Sequence, residues 1–578
     1  MFRKNEQHRQ HSFFSGEQLL PAKLRQRLKE SWAETFYREV FCRIDEELFA
    51  VLYSDKASRP NVPVNVLVGT EILKSGFGWS DEELHEQVCF NLQVRHALGL
   101  SDFRAEVCDL RTVYNFRKRV REYAETHGVN LFQKLFEQVT DEQLEAIALK
   151  RGWQRMDSTQ LLSNLAKMTR LELIVSVVQT VYRQLDERAQ ARWQERLAPY
   201  LDGRPQQVCY RIKADAVETH LETLGETLAE LAAELDTKAP ESEAAALVQR
   251  VLEEQYDVRV DDTVAIRPAD TVSADGLQSP HDPDATYRVK GGTAYRGGYV
   301  VNLSETCEPE NPVQLLTDVQ VAPNQTDDAE LLARSLEGQA DRGISLEKMT
   351  VDGGYTGPKA EQTCEQHQVD LRATRMRGGR SVPDRLGWEA YTWEVDQEGR
   401  PVRVTCPEGQ TADLTPGQAD RRYIARFDTA RCAKCPLFNK TCRVEPRRAA
   451  PTFYVRQRTI EVALQRQQLC PQDAPIRAVI EATIRSLKHP FPASKLPVRG
   501  LIRSTMVIYG SALMVNLRRL HRYFTTKQGQ QVAETGASAV LSFFSSLLTA
   551  IRTCYARWHR LYLPLSPAAC SRRVRAVA

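Results

Sequence analysis

The chain lacks a long hydrophobic run, and that absence bounds its class first. Its longest apolar stretch, AVLSFFSSLLTAI at 539–551, is interrupted by serines and falls short of the roughly 20 residues that cross a bilayer. No membrane span is expected. The opening MFRKNEQHRQ leads into no apolar segment resembling a secretion signal. Net charge is also nearly missing, since 78 Lys and Arg against 75 Asp and Glu leave +3. Any nucleic-acid surface must then come from local segregation of charge. No internal repeat or long low-complexity tract is present. The 13 cysteines are odd in number and unevenly spread, which argues against a disulfide framework and for a reducing, cytoplasmic setting.

What is present is a composition of ordinary globular type over 578 residues, too long for a single core and expected to fold as about two to four domains. Residues 1–147 read as a helical N-terminal DNA-binding domain. Within PVNVLVGTEILKSGFGWSDEELHEQVCFNL the apolar positions recur at helical spacing. Gly76 and Gly78 interrupt the pattern, and Ser80 with Glu83 forms a capping box that restarts it. A basic helix, LRTVYNFRKRVREY, follows a turn region and offers Arg111, Arg117, Lys118, Arg119 and Arg121 as phosphate contacts. A solvated helix face is the competing reading.

Residues 148–384 read as the first part of an α/β catalytic core, interrupted at 160–255 by an acidic helical insertion. ALKRGWQRMDST is expected to be a strand ending at Asp157. Strand character returns at TYRVKGG, GGYVVNLSE and VQLLTDVQVAP, followed by a helix starting near Asp327 and Asp328 and a strand, EKMTVDGGY, ending at Asp352. Residues 385–455 read as irregular and Cys-rich, residues 456–526 as the last, helical part of the core, and residues 527–578 as an amphipathic and basic tail. Asp473 and Pro475 make a helix start, and Pro490 with Pro492 a stop.

Three acids set far apart, Asp157, Asp352 and Glu481, carry the chemistry. Two carboxylates about 4 Å apart repel by roughly 4 kcal/mol at an effective dielectric near 20, so convergent carboxylates call for a cation. Oxygen-only ligands favour Mg²⁺ or Mn²⁺ over zinc. Two such ions would serve an in-line displacement at phosphorus. On the helix PIRAVIEATIRSLKH, at about 100° per residue, Glu481, Arg485 and Lys488 all fall within roughly 80° of Arg477. Ile476, Val479, Ile480, Ile484 and Leu487 lie opposite, facing the sheet. Arg477 suits a phosphate as a planar fork and Lys488 as a point charge. Each acid also has a plainer local reading, Glu481 as an i,i+4 pair with Arg477 and Asp157 as a helix cap.

Cys406, Cys432, Cys435 and Cys442, in VTCPEGQ and RCAKCPLFNKTCRV, have the makings of a closed tetrahedral Zn²⁺ site. Such a site would be structural, because four Cys ligands leave no open position. Reduced cysteines in a loop are the alternative.

These motifs resemble the DDE transposases of bacterial insertion sequences. One branch of that family carries a Tyr-Arg-Glu-Lys signature on its last catalytic helix, and Arg477, Glu481 and Lys488 stand at its spacings. Ala474 occupies the Tyr position, a departure that touches the role of that Tyr at the DNA end. The stretch 60–120 and the segment SPHDPDATYRVKGGTAYRGGYVVNLSET are similar as well. The resemblance implies an RNase H-like core in which Asp157, Asp352 and Glu481 are catalytic and hold Mg²⁺ or Mn²⁺. It implies double-stranded DNA as partner, at the element's ends and at a target, with Arg477, Arg485 and Lys488 on phosphates. It also implies a homodimer or higher synaptic complex, and a turn role for His281, Asp282 and Asp284. A metal-dependent nuclease without strand transfer, or a zinc-containing DNA-binding regulator, would share many of these features.

Overall fold

The computed structural model describes residues 2–526 except 10–15, 55, 57–59, 101, 103–106, 259–263, 291, 377–383, 397, 418–420 and 448, and in the tail residues 548 and 552. The expected amphipathic tail lies outside the described residues but for 548 and 552, and the run at 539–551 but for 548. No described helix is long and apolar enough to cross a membrane, and none of the described cysteines is in a disulfide.

The N-terminal region is a helical bundle. Its main helices are α1 (Trp32–Glu39), α2 (Val64–Phe77), α3 (Asp81–Phe90), α4 (Leu110–His127) and α5 (Leu131–Ala146). The expected capping box of Ser80 and Glu83 starts α3. Gly78 ends α2 in the left-handed region at φ 74°, where a side chain would be strained. Gly76 does not break the helix. It lies inside α2, and a Cβ there would come within 2.2 Å of Met514, so the glycine serves a close approach of two helices.

The core is a six-stranded sheet. It comprises β1 (Trp153–Leu162), β2 (Thr286–Lys290), β3 (Thr293–Thr306), β4 (Leu316–Pro323), β5 (Lys348–Val351) and β6 (Asp370–Ala373), in the order β2-β3-β1-β5-β6, with β4 also paired to β3. β1 runs antiparallel to β3 and parallel to β5, and β5 is parallel to β6. The expected strands and the helix α9 (Asp328–Asp341), capped at Asp327, are all present. β1 does not end at Asp157 but continues five residues further, pairing as far as Leu162 with Gly298. Asp-Ser-Thr caps no helix here, because β3 supplies backbone partners along the whole of β1. The insertion after β1 is helical as expected, with α6 (Arg170–Gln184), α7 (Val217–Lys238) and α8 (Glu243–Gln255) closing a core of their own around Leu224, Leu228, Val248 and Tyr256.

Residues 385–455 depart from the irregular segment expected. They form a five-stranded antiparallel meander, β7 (Thr392–Val395), β8 (Pro401–Thr405), β9 (Thr411–Pro416), β10 (Arg422–Arg426) and β11 (Thr452–Arg456), in sequential order. It is built on Tyr391, Trp393, Val404, Phe427 and Phe453. The strands are short, so their period-2 alternation is hidden between turns.

The last segment holds α10 (Ala474–Ala478), α11 (Ile480–Lys488) and α12 (Leu501–Thr525). α12 packs on α2, α5 and β4 together, joining bundle and sheet in one apolar core.

Candidate active site

Asp157, Asp352 and Glu481 reach the same place from three elements. Asp157 lies midway along β1, Asp352 directly follows β5 at the adjacent strand end, and Glu481 stands in the first turn of α11. What joins them is Arg477 of α10. Its guanidinium pairs with Asp157 and lies 3.9 Å from Oδ2 of Asp352 and 3.4 Å from Oε1 of Glu481. The Arg477 and Glu481 side chains are 13% and 54% exposed, so the pair is no ordinary surface contact.

The acids are held unequally. Asp157 is buried, and its Oδ1 accepts the Ser158 amide at 2.9 Å. Burial pushes its carboxyl above the usual range, aided by the nearby charge of Asp352 and opposed by Arg477, the Ser158 amide and Lys290. The Oδ1 of Asp352 accepts the Gly354 amide at 2.7 Å, which closes the turn that the two glycines begin. Glu481, half exposed, accepts only from Arg477 among the described residues.

The donor set is three carboxylates with no nitrogen or sulfur, which fits a hard divalent cation such as Mg²⁺ or Mn²⁺. Among the described residues, however, no three His, Cys, Asp or Glu side chains stand close enough to hold a metal ion. The positive charge these acids require is supplied by Arg477.

Lys488 donates to Thr159 Oγ1 at 3.0 Å and Arg485 is exposed. Burial, reinforced by Lys290, lowers the pKa of Lys488. The helix expected to carry these residues is made of α10 and α11, which meet at Val479 with its dihedral angles still helical at φ −63° and ψ −28°. Val479 is 49% exposed, whereas Ile480 and Leu487 are fully buried. At about 100° per residue Val479 falls roughly 100° from Ile480 and 80° from Leu487, so the buried face is narrower than expected and leaves Val479 outside it.

The basic helix α4 also differs from expectation. Arg117 is committed to Glu71 at 2.8 Å and Asp81 at 2.7 Å, fixing α4 to α2 and α3 rather than facing a phosphate. Arg119 lies over the ring of Tyr53. Arg111 and Lys118 are exposed, and Arg121 partly so. Lys118 and Arg121 carry only i,i+4 pairs with Glu122 and Glu125, at 3.6 and 3.5 Å. Asp282, fully buried, accepts from the hydroxyls of Ser163 and Tyr299, the turn-fixing role expected of it.

The four cysteines border the core of the β7–β11 meander. Cys406 Sγ accepts the Gln410 amide at 3.3 Å and Cys442 Sγ the Val444 amide at 3.5 Å. Cys432 Sγ lies 3.6 Å from Gln410 Oε1. Burial raises the Cys432 thiol to about 11, with the charges of Cys442, Cys406 and Cys435 adding to it. Amides aimed at two of the sulfurs are compatible with thiolate ligands. As placed, the sulfurs of Cys406, Cys432 and Cys442 each have a protein partner.

One part of the site was not anticipated. Glu305 of β3 is fully buried and accepts from Arg155 Nε at 2.7 Å, Arg519 at 2.6 Å and Thr483 Oγ1 at 2.7 Å. Arg155 also donates to the Ile476 carbonyl at 2.9 Å. The network ties α10, α11 and α12 to β1 and β3 and so positions Arg477 and Glu481. Arg155 had a signal in the sequence, since at two residues before Asp157 it shares that strand face. Glu305 had none.

Two family models match the chain. Residues 25–119 match a transposase domain (DUF772) and residues 405–521 a transposase DDE domain. The second spans Arg477, Glu481, Lys488 and all four cysteines, and neither reaches Asp157 or Asp352. No curated protein matches. Among solved structures, the cryo-EM structure of a piggyBac transposase synaptic complex with hairpin DNA matches at 8% identity, over 93% of this chain and 85% of that one, with a TM-score of 0.25. No correspondence of folds is drawn at that score.

Proposed function

We propose that this chain, which carries the domains of a DDE transposase, is the transposase of an insertion sequence. It would bind terminal inverted repeats and catalyse metal-dependent strand cleavage and strand transfer. The observation that carries the reading is the meeting of Asp157, Asp352 and Glu481 on one guanidinium. The strand order, with β1 antiparallel to β3 and parallel to β5, supports an RNase H-like core.

Asp157, Asp352 and Glu481 would hold Mg²⁺ or Mn²⁺, which when bound supplies activation of the attacking oxygen and stabilisation of the leaving one. Asp157 and Asp352 are anchored by backbone amides, whereas Glu481 is free to turn with its exposed side chain. Arg477 would pass from the carboxylates to the phosphodiester, where Lys488 and Arg485 join it. A water oxygen attacks phosphorus and the 3′-oxygen leaves. The resulting 3′-hydroxyl then attacks a phosphorus of the target strand and displaces its 3′-oxygen. Lys118, Arg119 and Arg121 of α4 are proposed to contact the repeats, and joining two ends calls for a homodimer or larger complex. The four cysteines are proposed to hold a structural Zn²⁺.

The test is incubation of the protein with DNA carrying its own element's ends and Mg²⁺. Asp157→Ala, Asp352→Ala and Glu481→Ala should each lose cleavage and joining. A variant that still cuts removes that residue from the site, and cleavage without joining reduces the protein to a nuclease.

A further inference from the structure

Beside Asp352 lies an open slot of about 460 Å³, lined among others by Lys290, Asp352, Gly353, Gly354 and Arg375. Its cations have little to neutralise them. Lys290 is exposed at the end of β2 and donates to Ser158 Oγ at 3.3 Å, with no carboxylate within ion-pair distance among the described residues. Arg375 is 72% exposed and, among the described residues, pairs only with Asp352, at 3.7 Å. Arg288, the third cation of the lining, is spent on the carbonyls of Asn324 and Thr326.

The topology explains the placement. β3 begins at Thr293 but pairs with β1 only from Gly298, so the β2–β3 hairpin extends past the Leu162 end of β1, whereas Asp352 follows β5 level with Asp157. From that overhang Lys290 reaches Ser158, while Lys488 reaches the neighbouring Thr159 from α11. The two cations thus flank β1 just past Asp157, on successive residues whose side chains alternate between the two faces of the sheet. The floor of the slot at Gly353 and Gly354 has no side chains, so a backbone can approach closely.

We infer that this slot seats a phosphodiester group of the DNA strand next to the scissile bond, with Lys290 and Arg375 as its ligands. The inference rests on the transposase reading and adds two residues to it. Phosphate oxygens are the shared chemistry of a DNA strand and of free phosphate, and an open slot admits the continuous strand.

The experiment measures binding of the full chain to a duplex carrying the element's own end, without divalent metal, across a salt series. Lys290→Ala and Arg375→Ala should each reduce the slope of log affinity against log salt by about 0.9, the value of one phosphate contact. Lys290→Arg should restore it, and inorganic phosphate at matched ionic strength should not displace the duplex. Wild-type slopes in both alanine variants would overturn the slot while leaving the transposase reading intact, provided the wild type cuts its ends. Displacement by millimolar-range phosphate would assign the slot to the free anion instead and overturn the strand. A wild type that neither binds nor cuts those ends overturns both readings.

Discussion

Arg477 stands among the three carboxylates proposed to hold the metal, and its removal should therefore have effects of opposite sign. In Arg477→Ala the three carboxylates lose their counter-charge, so affinity for Mg²⁺ or Mn²⁺ should rise while DNA cleavage falls. Calorimetric titration with Mn²⁺ beside a cleavage assay checks this, and weaker Mn²⁺ binding in the variant would refute the competition. Glu305 acts at one remove. Arg519, Arg155 and Thr483 hold its carboxyl below the usual range against a large opposing effect of burial. A depressed folded value contributes stability that is present above the ordinary pKa of 4.5 and is lost as pH falls below it. Glu305→Gln should flatten the decline in melting temperature through that acidic window. Glu305→Ala, which strands the buried Arg155 and the partly buried Arg519, should cost about 3–5 kcal/mol in urea unfolding at neutral pH.

Among the elements, the joint at Val479 matters most. Val479 keeps helical dihedral angles, so Arg477 and Glu481 stay in i,i+4 register. α10 is held by Arg155 through the Ile476 carbonyl and α11 by Glu305 through Thr483, two anchors for two functional side chains. The β7–β11 meander has its own aromatic core, so zinc would reinforce it rather than create it. Metal analysis of Cys432→Ser should show about one equivalent of zinc fewer than wild type, and the variant should retain its fold by circular dichroism. Equal zinc in both proteins would leave the cysteines as reduced thiols.

At the scale of the whole molecule, α12 is shared property. It meets α2 where Gly76 and Gly510 allow close approach, with Cβ positions that would fall 2.2 Å from Met514 and 2.8 Å from Ser75. It meets the sheet where the Asn516 amide bonds both backbone groups of Leu316, at 2.8 and 3.1 Å. The N-terminal bundle is therefore completed by a helix more than 400 residues away in sequence. A fragment of residues 1–147 should melt without a sharp transition, whereas the intact chain melts cooperatively. Gly76→Val should destabilise the intact chain by about 1–3 kcal/mol through overpacking, read as a fall in denaturant midpoint.

The sequence by itself determined the chemical identity of the site and the type of most elements. Three acids, a basic signature helix and a capping box are local patterns, and local patterns survive into any fold that buries their apolar faces. The strands at TYRVKGG and GGYVVNLSE and the helical insertion followed from periodicity in the same way. Periodicity does not report what lies across a strand or beyond a helix joint. Only the tertiary structure carried β1 past Asp157, because β3 pairs along its full length. Contacts distant in sequence likewise turned Arg117 inward to Glu71 and Asp81 and set Glu305 among two arginines. The charge on Arg477 was legible from the start; its place between three carboxylates was decided by the packing of α10 and α11 against the strands.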